Sequence, residues 1–492
     1  MATQPLDRSL RTLTSLPSAA STPGRRAHHD QIEPQDGDMR RVLIIASRFP
    51  PLASVGAIRI RKFVKYLGDF GWEPVVLTGP IPSVTEATED ARRLLDNEGL
   101  SDVPEHVAVH RLHEGVDEWP TALGDRWGGR LAPFTRYVGW SHERWRDGLK
   151  WRFERVQQRL SFPDRGVWRT LAAVRLAKAL HRQHQFDAIF STGMPFSDHL
   201  IGMAVRRAMK LPWVADFRDP WVEYIHWQQW GGRWGSMATH QAERAVLRKA
   251  TRVISVNEHM TARFQIRYPN LDKVKFSTVE NGFDPSDYGA TTERRRNAKF
   301  TMQYAGSLYG ARSPENLIKA FERFCSRCER ARGEAELVFV GRVGPFLDRI
   351  RNSGSKNVRY GGMLGHGATC RAMRQADANI VLLPKVAGSE KDTTAKVYEC
   401  LGSGRPILAA VPLNGSAADV LADRPQVFLH DPEDIDGLSH TIERMFKRWI
   451  DNDLPDVPVG ADLYDRTRRA ATEKLADILN QCCPCGITEA AR

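Results

Sequence analysis

No apolar run in this chain approaches the ~18 residues that a membrane-spanning helix needs, and no apolar signal peptide is evident, so any membrane contact is expected to be peripheral. Cysteine is sparse: seven in 492 residues, an odd number and scattered, which excludes a disulfide-stapled scaffold and suits a reducing cytoplasm. Cys325 and Cys328 form a lone C-x-x-C, and Cys482, Cys483 and Cys485 crowd the tail. With no second pair at ligand spacing, no zinc site is expected. The first strand-like run is not followed by G-x-G-x-x-G, which counts against a nicotinamide or flavin site there. Short-period repeats are lacking, and so is any recognised nucleic-acid-binding module. Acid is in deficit as well. The net charge of +12 points to anionic partners without choosing among nucleic acid, a membrane surface and phosphorylated small molecules.

What is present is ordinary for a globular protein: 41% hydrophobic and 26% charged residues, enough for large cores, in a length that suggests two domains. Residues 1–38 are rich in Ser, Thr, Pro, Gly, Arg and Asp and read as a disordered tail. RVLIIAS then begins a strand buried on both faces. It is followed by a helix with Ile60, Phe63, Val64 and Leu67 on one face, a stop at Gly71, and the strand EPVVLT. Strand, helix, strand recurs at FDAIFST, LPWVADF and TRVISVN, the units of one doubly wound parallel domain. The polar, turn-rich segment 280–300 marks a boundary. Beyond it FTMQYAG, ELVFVG, NVRYGG, ANIVLLP and PILAAV restart the alternation, with Ser313 and Pro314 opening a helix. The fold class is therefore α/β, with two doubly wound Rossmann-like domains facing across a cleft. We assign 39–286 to the first, with an insertion at about 117–160, and 296–455 to the second. Residues 456–492 carry a helix expected to return to the first domain.

Open α/β sheets bind ligands at the carboxyl ends of their strands, so candidate residues should follow strands directly. In SRFPPLASVGAIR, Gly56 permits close backbone approach and the next helix offers its amides, so a phosphate, a sugar or a mere tight turn fits; Arg59 shares this stretch. ADFRDPW sets Asp216, Arg218 and Asp219 directly after an apolar run. Arg312, ending YAGSLYGAR, is either a phosphate partner or a surface arginine. In TTAKVYECLGSG, Thr393, Thr394 and Lys396 open a helix whose amides favour a diphosphate. Glu399, one turn on, either holds two ribose hydroxyls or is an ordinary helix glutamate.

These segments, with PFSDHLIG, VENGFD, LVFVG and KVYECLGSGRPIL, resemble the family 4 glycosyltransferases, retaining enzymes of the GT-B fold, over most of residues 41–425. The resemblance implies a nucleotide-sugar donor held by the second domain and a glycan or lipid-linked acceptor held by the first. In it Arg312 and Lys396 neutralise the diphosphate, Glu399 holds the ribose, and backbone near Gly341, Arg342 and Met363 frames the base. Gly56 faces the donor from the other domain, and Arg218 and Asp219 lie near the reacting sugar. Transfer would proceed with retention by front-face displacement, the leaving phosphate accepting the acceptor's proton, with no cofactor and no divalent metal. One departure stands out. The family's pair of glutamates lies eight positions apart, but Lys391 stands eight before Glu399 and Glu390 is one residue too early. Thr393 and Thr394 are the preferred replacements for the lost carboxylate's sugar contacts, with a loop shift bringing in Glu390 as the alternative.

Residues 117–160 are rich in Trp and Arg, which suits either a lipid interface or polyprenyl-linked acceptor or a buried aromatic insertion between helices; Trp140 and Trp151 share a helical face that Trp145 does not. The expected protein is a cytoplasmic glycosyltransferase, with peripheral contact at the inner membrane face as one option, building a cell-surface polysaccharide or glycolipid and binding no nucleic acid. Two alternatives are a sugar-nucleotide epimerase of similar architecture and a catalytically silent nucleotide-sugar-binding partner.

Overall fold

A computed structural model describes residues 39–52, 55–81, 98–113, 161–223, 232–289, 296–353, 355–455 and 461–483. The amino-terminal tail and the Trp/Arg-rich insertion lie outside the described residues. The first domain holds β1 (Arg40–Ile45), α1 (Val55–Tyr66), β2 (Trp72–Thr78), β3 (Val109–Arg111), α2 (Thr170–His184), β4 (Ala188–Gly193), α3 (Ser197–Met209), β5 (Trp213–Phe217), α4 (Gly232–Lys249), β6 (Arg252–Ser255), α5 (Glu258–Arg267) and β7 (Phe276–Thr278). The second holds β8 (Phe300–Ala305), α6 (Glu315–Arg327), α7 (Ala331–Glu334), β9 (Ala335–Val340), α8 (Leu347–Arg351), β10 (Val358–Tyr360), α9 (His366–Gln375), β11 (Ala378–Leu382), α10 (Ala395–Gly402), β12 (Ile407–Ala410), α11 (Ser416–Leu421), β13 (Val427–His430) and α12 (Ile435–Ile450), and α13 (Arg468–Cys482) closes the described chain.

The seven strands of the first sheet run in the order β3-β2-β1-β4-β5-β6-β7 and the six of the second in the order β10-β9-β8-β11-β12-β13. Every described strand pair is parallel. Helices cover both faces of such sheets, which is why the central strands are apolar on both sides. Leu43 and Ile45 join Val75, Leu77, Ile189 and Trp213 in one core layer. Val42 and Ile44 point the other way, to Ile60, Phe63 and Val64 of α1 and to Leu475 and Leu479 of α13. The last helix thus completes the core of the first sheet, not of the second. No described helix is long and apolar enough to cross a membrane.

Three strands escape the sequence reading: β3, β7 and β13. Each is an edge of its sheet, three or four residues long and mostly half-buried, so none leaves a continuous apolar run. The expected helix start at Pro314 is displaced by one: Pro314 is the residue before α6, and Ser313 Oγ accepts from Glu315 N at 3.2 Å.

Strand order reverses between β1 and β4 and between β8 and β11. Such reversals open crevices at the carboxyl ends of the strands, and these carry the candidate residues.

Candidate active site

In the second domain α10 is short for identifiable reasons. Gly402 packs against the Phe283 ring so tightly that a methyl there would collide with it, and Gly404 turns the chain at φ +71°. Val397, Tyr398 and Leu401 bury the inner face. Thr394 precedes the first turn in extended conformation, and its hydroxyl caps no amide of the helix among the described residues. The first amides of α10 and Lys396 therefore open together.

Lys396 Nζ lies 2.6 Å from Glu399 Oε2. Burial pushes the Glu399 carboxyl up, but the charges of Lys396 and His366 outweigh it and bring it to about 2. Its other oxygen is 3.8 Å from His366 Nδ1, and His366 Nε2 is 3.0 Å from Asp287. Glu399 is thus a buried, ionised carboxylate gripped from two sides, not the exposed helix residue of the simpler reading.

Arg312 approaches from the loop after β8. Its guanidinium sits 5.2 Å from the Tyr309 ring centroid, and its buried Nε has no hydrogen-bond partner among the described residues. Tyr304 OH is raised to about 12 by burial, against the opposing charges of Arg312 and Lys396, so these three side chains share one neighbourhood. A buried guanidinium N–H without an acceptor beside a lysine is a favourable place for an oxyanion.

The loops after β8, β9 and β10 are stitched into one rim. Gly306 N donates to Val340 O at 2.9 Å, Leu308 N to Arg342 O at 2.8 Å and Gly341 N to Gly362 O at 2.8 Å. Gly341 has φ +113°, and a methyl on it would strike Gly306 O, so both its conformation and its contact demand glycine. The side chains of Arg342 and Met363 are exposed on this rim.

Across the cleft, the Arg218 guanidinium fills the space where Gly56 would carry a Cβ, and it donates to Gly193 O at 3.0 Å and to Met194 O. Burial lowers its pKa, while Asp219 and Asp216 oppose the shift. Asp219 is pushed up by burial against Arg218 and Arg48. Asp392, in the loop before α10, is pushed up by burial too, with Asp219 among the like charges raising it and Arg312 opposing. It is solvent-exposed yet crowded by protein, as expected on a concave wall. Arg218, Asp219, Asp392 and Arg312 therefore line one cleft from opposite domains.

Two expectations fail here. Arg59 is not open to a substrate: it is buried, its guanidinium forked onto Asp216 at 2.9 and 3.2 Å and donating to Val279 O and Glu280 O at 2.8 and 2.9 Å. Its hydrogen-bonding capacity is spent bracing α1 against β5 and the segment leaving β7. Thr393 is buried with its hydroxyl on Ser416, which leaves Thr394 alone at the helix entrance. Glu390, the alternative, has Oε2 accepting from Gly388 N at 2.8 Å within its own turn.

Several residues of this region carry no sequence signal of their own. Lys62 Nζ is 2.8 Å from Asp102, 2.7 Å from Asp284 and 2.6 Å from Asp287, and Lys65 joins Asp102 and Asp284. Burial pushes Asp284 up, but Lys62 and Lys65 hold it far below the usual carboxylate range. This carboxylate trio resembles a metal cage, yet an ammonium already sits among its oxygens. In the first domain Asp198 accepts from Ser47 N at 2.7 Å and from Ser47 Oγ, pinning the loop after β1 to α3; burial raises it to about 7 despite those hydrogen bonds.

Residues 56–282 match the family model of the glycosyl transferase 4-like domain. No curated protein sequence matches the chain. Among solved structures, sucrose-phosphate synthase from Thermosynechococcus elongatus is 15% identical with a TM-score of 0.56, over 90% of this chain and 98% of that one. A UDP-forming α,α-trehalose-phosphate synthase from Burkholderia xenovorans is 12% identical with a TM-score of 0.55, over 90% and 99%. WaaG, a glycosyltransferase involved in lipopolysaccharide biosynthesis, is 14% identical with a TM-score of 0.50, over 89% and 99%. The fold is that of the GT-B glycosyltransferases. The chain carries a glycosyl transferase 4-like domain and is an enzyme of the glycosyltransferase class.

Proposed function

We propose that this enzyme is a retaining transferase moving a sugar from a nucleotide-sugar donor to a glycan or lipid-linked acceptor, in cell-surface polysaccharide or glycolipid synthesis at the inner membrane face. The observation that carries the donor assignment is the convergence of Arg312, with its unpartnered buried Nε, Lys396 and the uncapped amides of α10. In this reading the diphosphate takes the charge of Arg312 and Lys396. Glu399 turns its carboxylate edge to the ribose, and the rim of Gly341, Arg342 and Met363 frames the base. Gly56, Arg218 and Asp219 face the transferred sugar, with Thr394 offering a hydroxyl contact.

Charge developing on the leaving phosphate is stabilised by fixed cations and amides, and a non-bridging oxygen of that phosphate takes the acceptor's proton. No divalent metal is needed. What supports this is the fixed positive charge of Arg312 and Lys396 beside the start of α10.

The test is a thermal-shift screen of nucleoside diphosphates and nucleotide sugars, with and without EDTA. A cognate ligand at a hundredfold excess over its Kd adds about 2.7 kcal/mol of stability. The reading fails if no nucleotide shifts Tm, and the metal statement fails if EDTA abolishes a shift. A ligand that binds but is neither transferred nor hydrolysed would mark a silent binder instead.

A further inference from the structure

The loop entering α10 is held by the opposite domain. Lys391 Nζ lies 2.7 Å from Glu223 Oε2, and Lys391 O accepts from Asn257 Nδ2 at 2.8 Å. Both partners are immobilised before they meet the loop. Asn257 is buried at the end of β6, and its Oδ1 caps α5 by accepting from Met260 N at 2.8 Å, which aims its amide group at Lys391. Glu223 uses its other oxygen on Arg263 and Arg267. Arg267 is bonded at 3.1 Å to the buried Glu243, which also accepts from Tyr268 OH at 2.8 Å and Val222 N at 3.0 Å. Lys391 therefore docks on a carboxylate whose position is set by a buried scaffold of the first domain.

Only Asp392 and Thr393 separate Lys391 from Thr394, and Thr393 is tied to Ser416 of its own domain. A chain fixed at 391 from one domain and at 393 from the other has little freedom left before the helix begins. We propose that Glu223 and Asn257 of the first domain are positioning residues for the donor site: through Lys391 they set the entrance of α10, and with it Thr394, Lys396 and the helix amides, so that phosphate binding is coupled to the closed arrangement of the two domains. The inference rests on reading α10 as the phosphate site, and it gives Lys391 a role that its position in the loop alone does not suggest.

The probe is whichever of UDP, GDP and ADP stabilises the wild-type protein most, with its Kd measured by calorimetry. Lys391→Met keeps the length of the side chain and removes its charge; Glu223→Gln keeps shape and removes the partner's charge. Asn257→Asp preserves the α5 cap acceptor while replacing the donor to Lys391 O with a repelling oxygen. Each is expected to raise Kd about three- to tenfold, Lys391→Arg to restore most of the affinity, and the Lys391→Met/Glu223→Gln double variant to be no worse than either single one, the mark of a shared interaction. Unchanged Kd in all three single variants of a protein that binds the probe, even with lowered Tm, overturns the inference and leaves the donor reading intact. So do losses that simply add in the double variant. Wild-type protein that binds none of the three nucleotides overturns both.

Discussion

The two domains touch at a rear crossing and a front crossing, and the two are built from different materials. At the rear, the segment 280–289 and the start of α13 run between the sheets. Lys62, Lys65, Asp102, Asp284 and Asp287 form a mostly buried ion cluster there, Tyr288 OH donates to Glu399 O at 2.5 Å, and Phe283 bridges to Thr467. At the front, the described contacts include one buried amide, one ion pair on Lys391 and the exposed pair His259–Asp419. Each rear charge has two or more partners, so none can leave alone without stranding the others. The front contacts are not interlocked in this way, and the His259–Asp419 pair is exposed. This contrast suits a rear that persists while the front opens for substrate.

The largest effect should come from breaking the rear. Lys62→Met leaves three carboxylates short of their central cation, and removing one member of a buried ion cluster costs about 3–5 kcal/mol. Urea unfolding is expected to show a loss of that order. The cluster also predicts acid sensitivity. Asp284 is held below its ordinary 3.8, so its contribution is complete above that value and disappears as pH falls below it. A Lys62→Met protein as stable as the parent would show that the rear is no firmer than the front.

Next is the phosphate site, where a charged hydrogen bond contributes roughly 1.5–3 kcal/mol. Arg312→Ala and Lys396→Ala are each expected to weaken nucleoside-diphosphate binding about tenfold or more; Arg312→Ala should leave Tm within a few degrees, whereas Lys396→Ala should also lower Tm because it strands the buried Glu399 carboxylate. Glu399→Gln should lower both donor binding and turnover. Calorimetry and steady-state rates check these, and unchanged affinity in both cation variants would displace the site from α10.

The same contrast governs what could be read from the sequence. Central strands such as RVLIIAS announce themselves because both faces are buried, whereas β3, β7 and β13 are short edges with half-wet faces and look like loop. Arg312 and Lys396 drew attention because one ends the loop after a strand and the other opens a helix, while Glu399 reads locally as an ordinary helix glutamate and gained its role only through the family resemblance. Lys62, Asp284 and His366 were not: their partners are brought together only by the fold, Lys62 and Asp284 being 222 residues apart. Arg59 misled for the same reason, since nothing local says that Asp216 consumes its guanidinium. Asn257 ends the strand-like TRVISVN and caps α5 in the structure, but its second hydrogen bond, to Lys391, lies 134 residues away.

A smaller effect is expected at the front in acid. Burial pushes the Glu223 carboxyl up, but hydrogen bonds from Lys391 and Arg263 and the charge of Arg267 outweigh it and bring it to about 2. A carboxylate held below its ordinary 4.5 contributes stability that is present above that value and fades as pH falls toward 2. The Tm difference between the parent and Glu223→Gln should therefore be constant at neutral pH and shrink through that window. A difference that persists at pH 2 would mean that Glu223 acts through packing rather than charge.

The smallest effect should be at His259–Asp419. The two groups meet at 2.9 Å, but the side chains are 36% and 65% exposed, and water and salt screen such a pair. Asp419→Asn is expected to change stability by less than about 1 kcal/mol and to leave nucleotide affinity untouched, because the Thr393–Ser416 hydrogen bond that ties α11 to the phosphate loop is spared by this substitution. Calorimetry on Asp419→Asn beside Glu223→Gln makes the comparison direct. If the two variants lose equal affinity, the front is a diffuse electrostatic interface in which every charge counts alike. If only Glu223→Gln loses it, the hold on the loop is local to Lys391, and the exposed pair is a surface contact that closure happens to bring together.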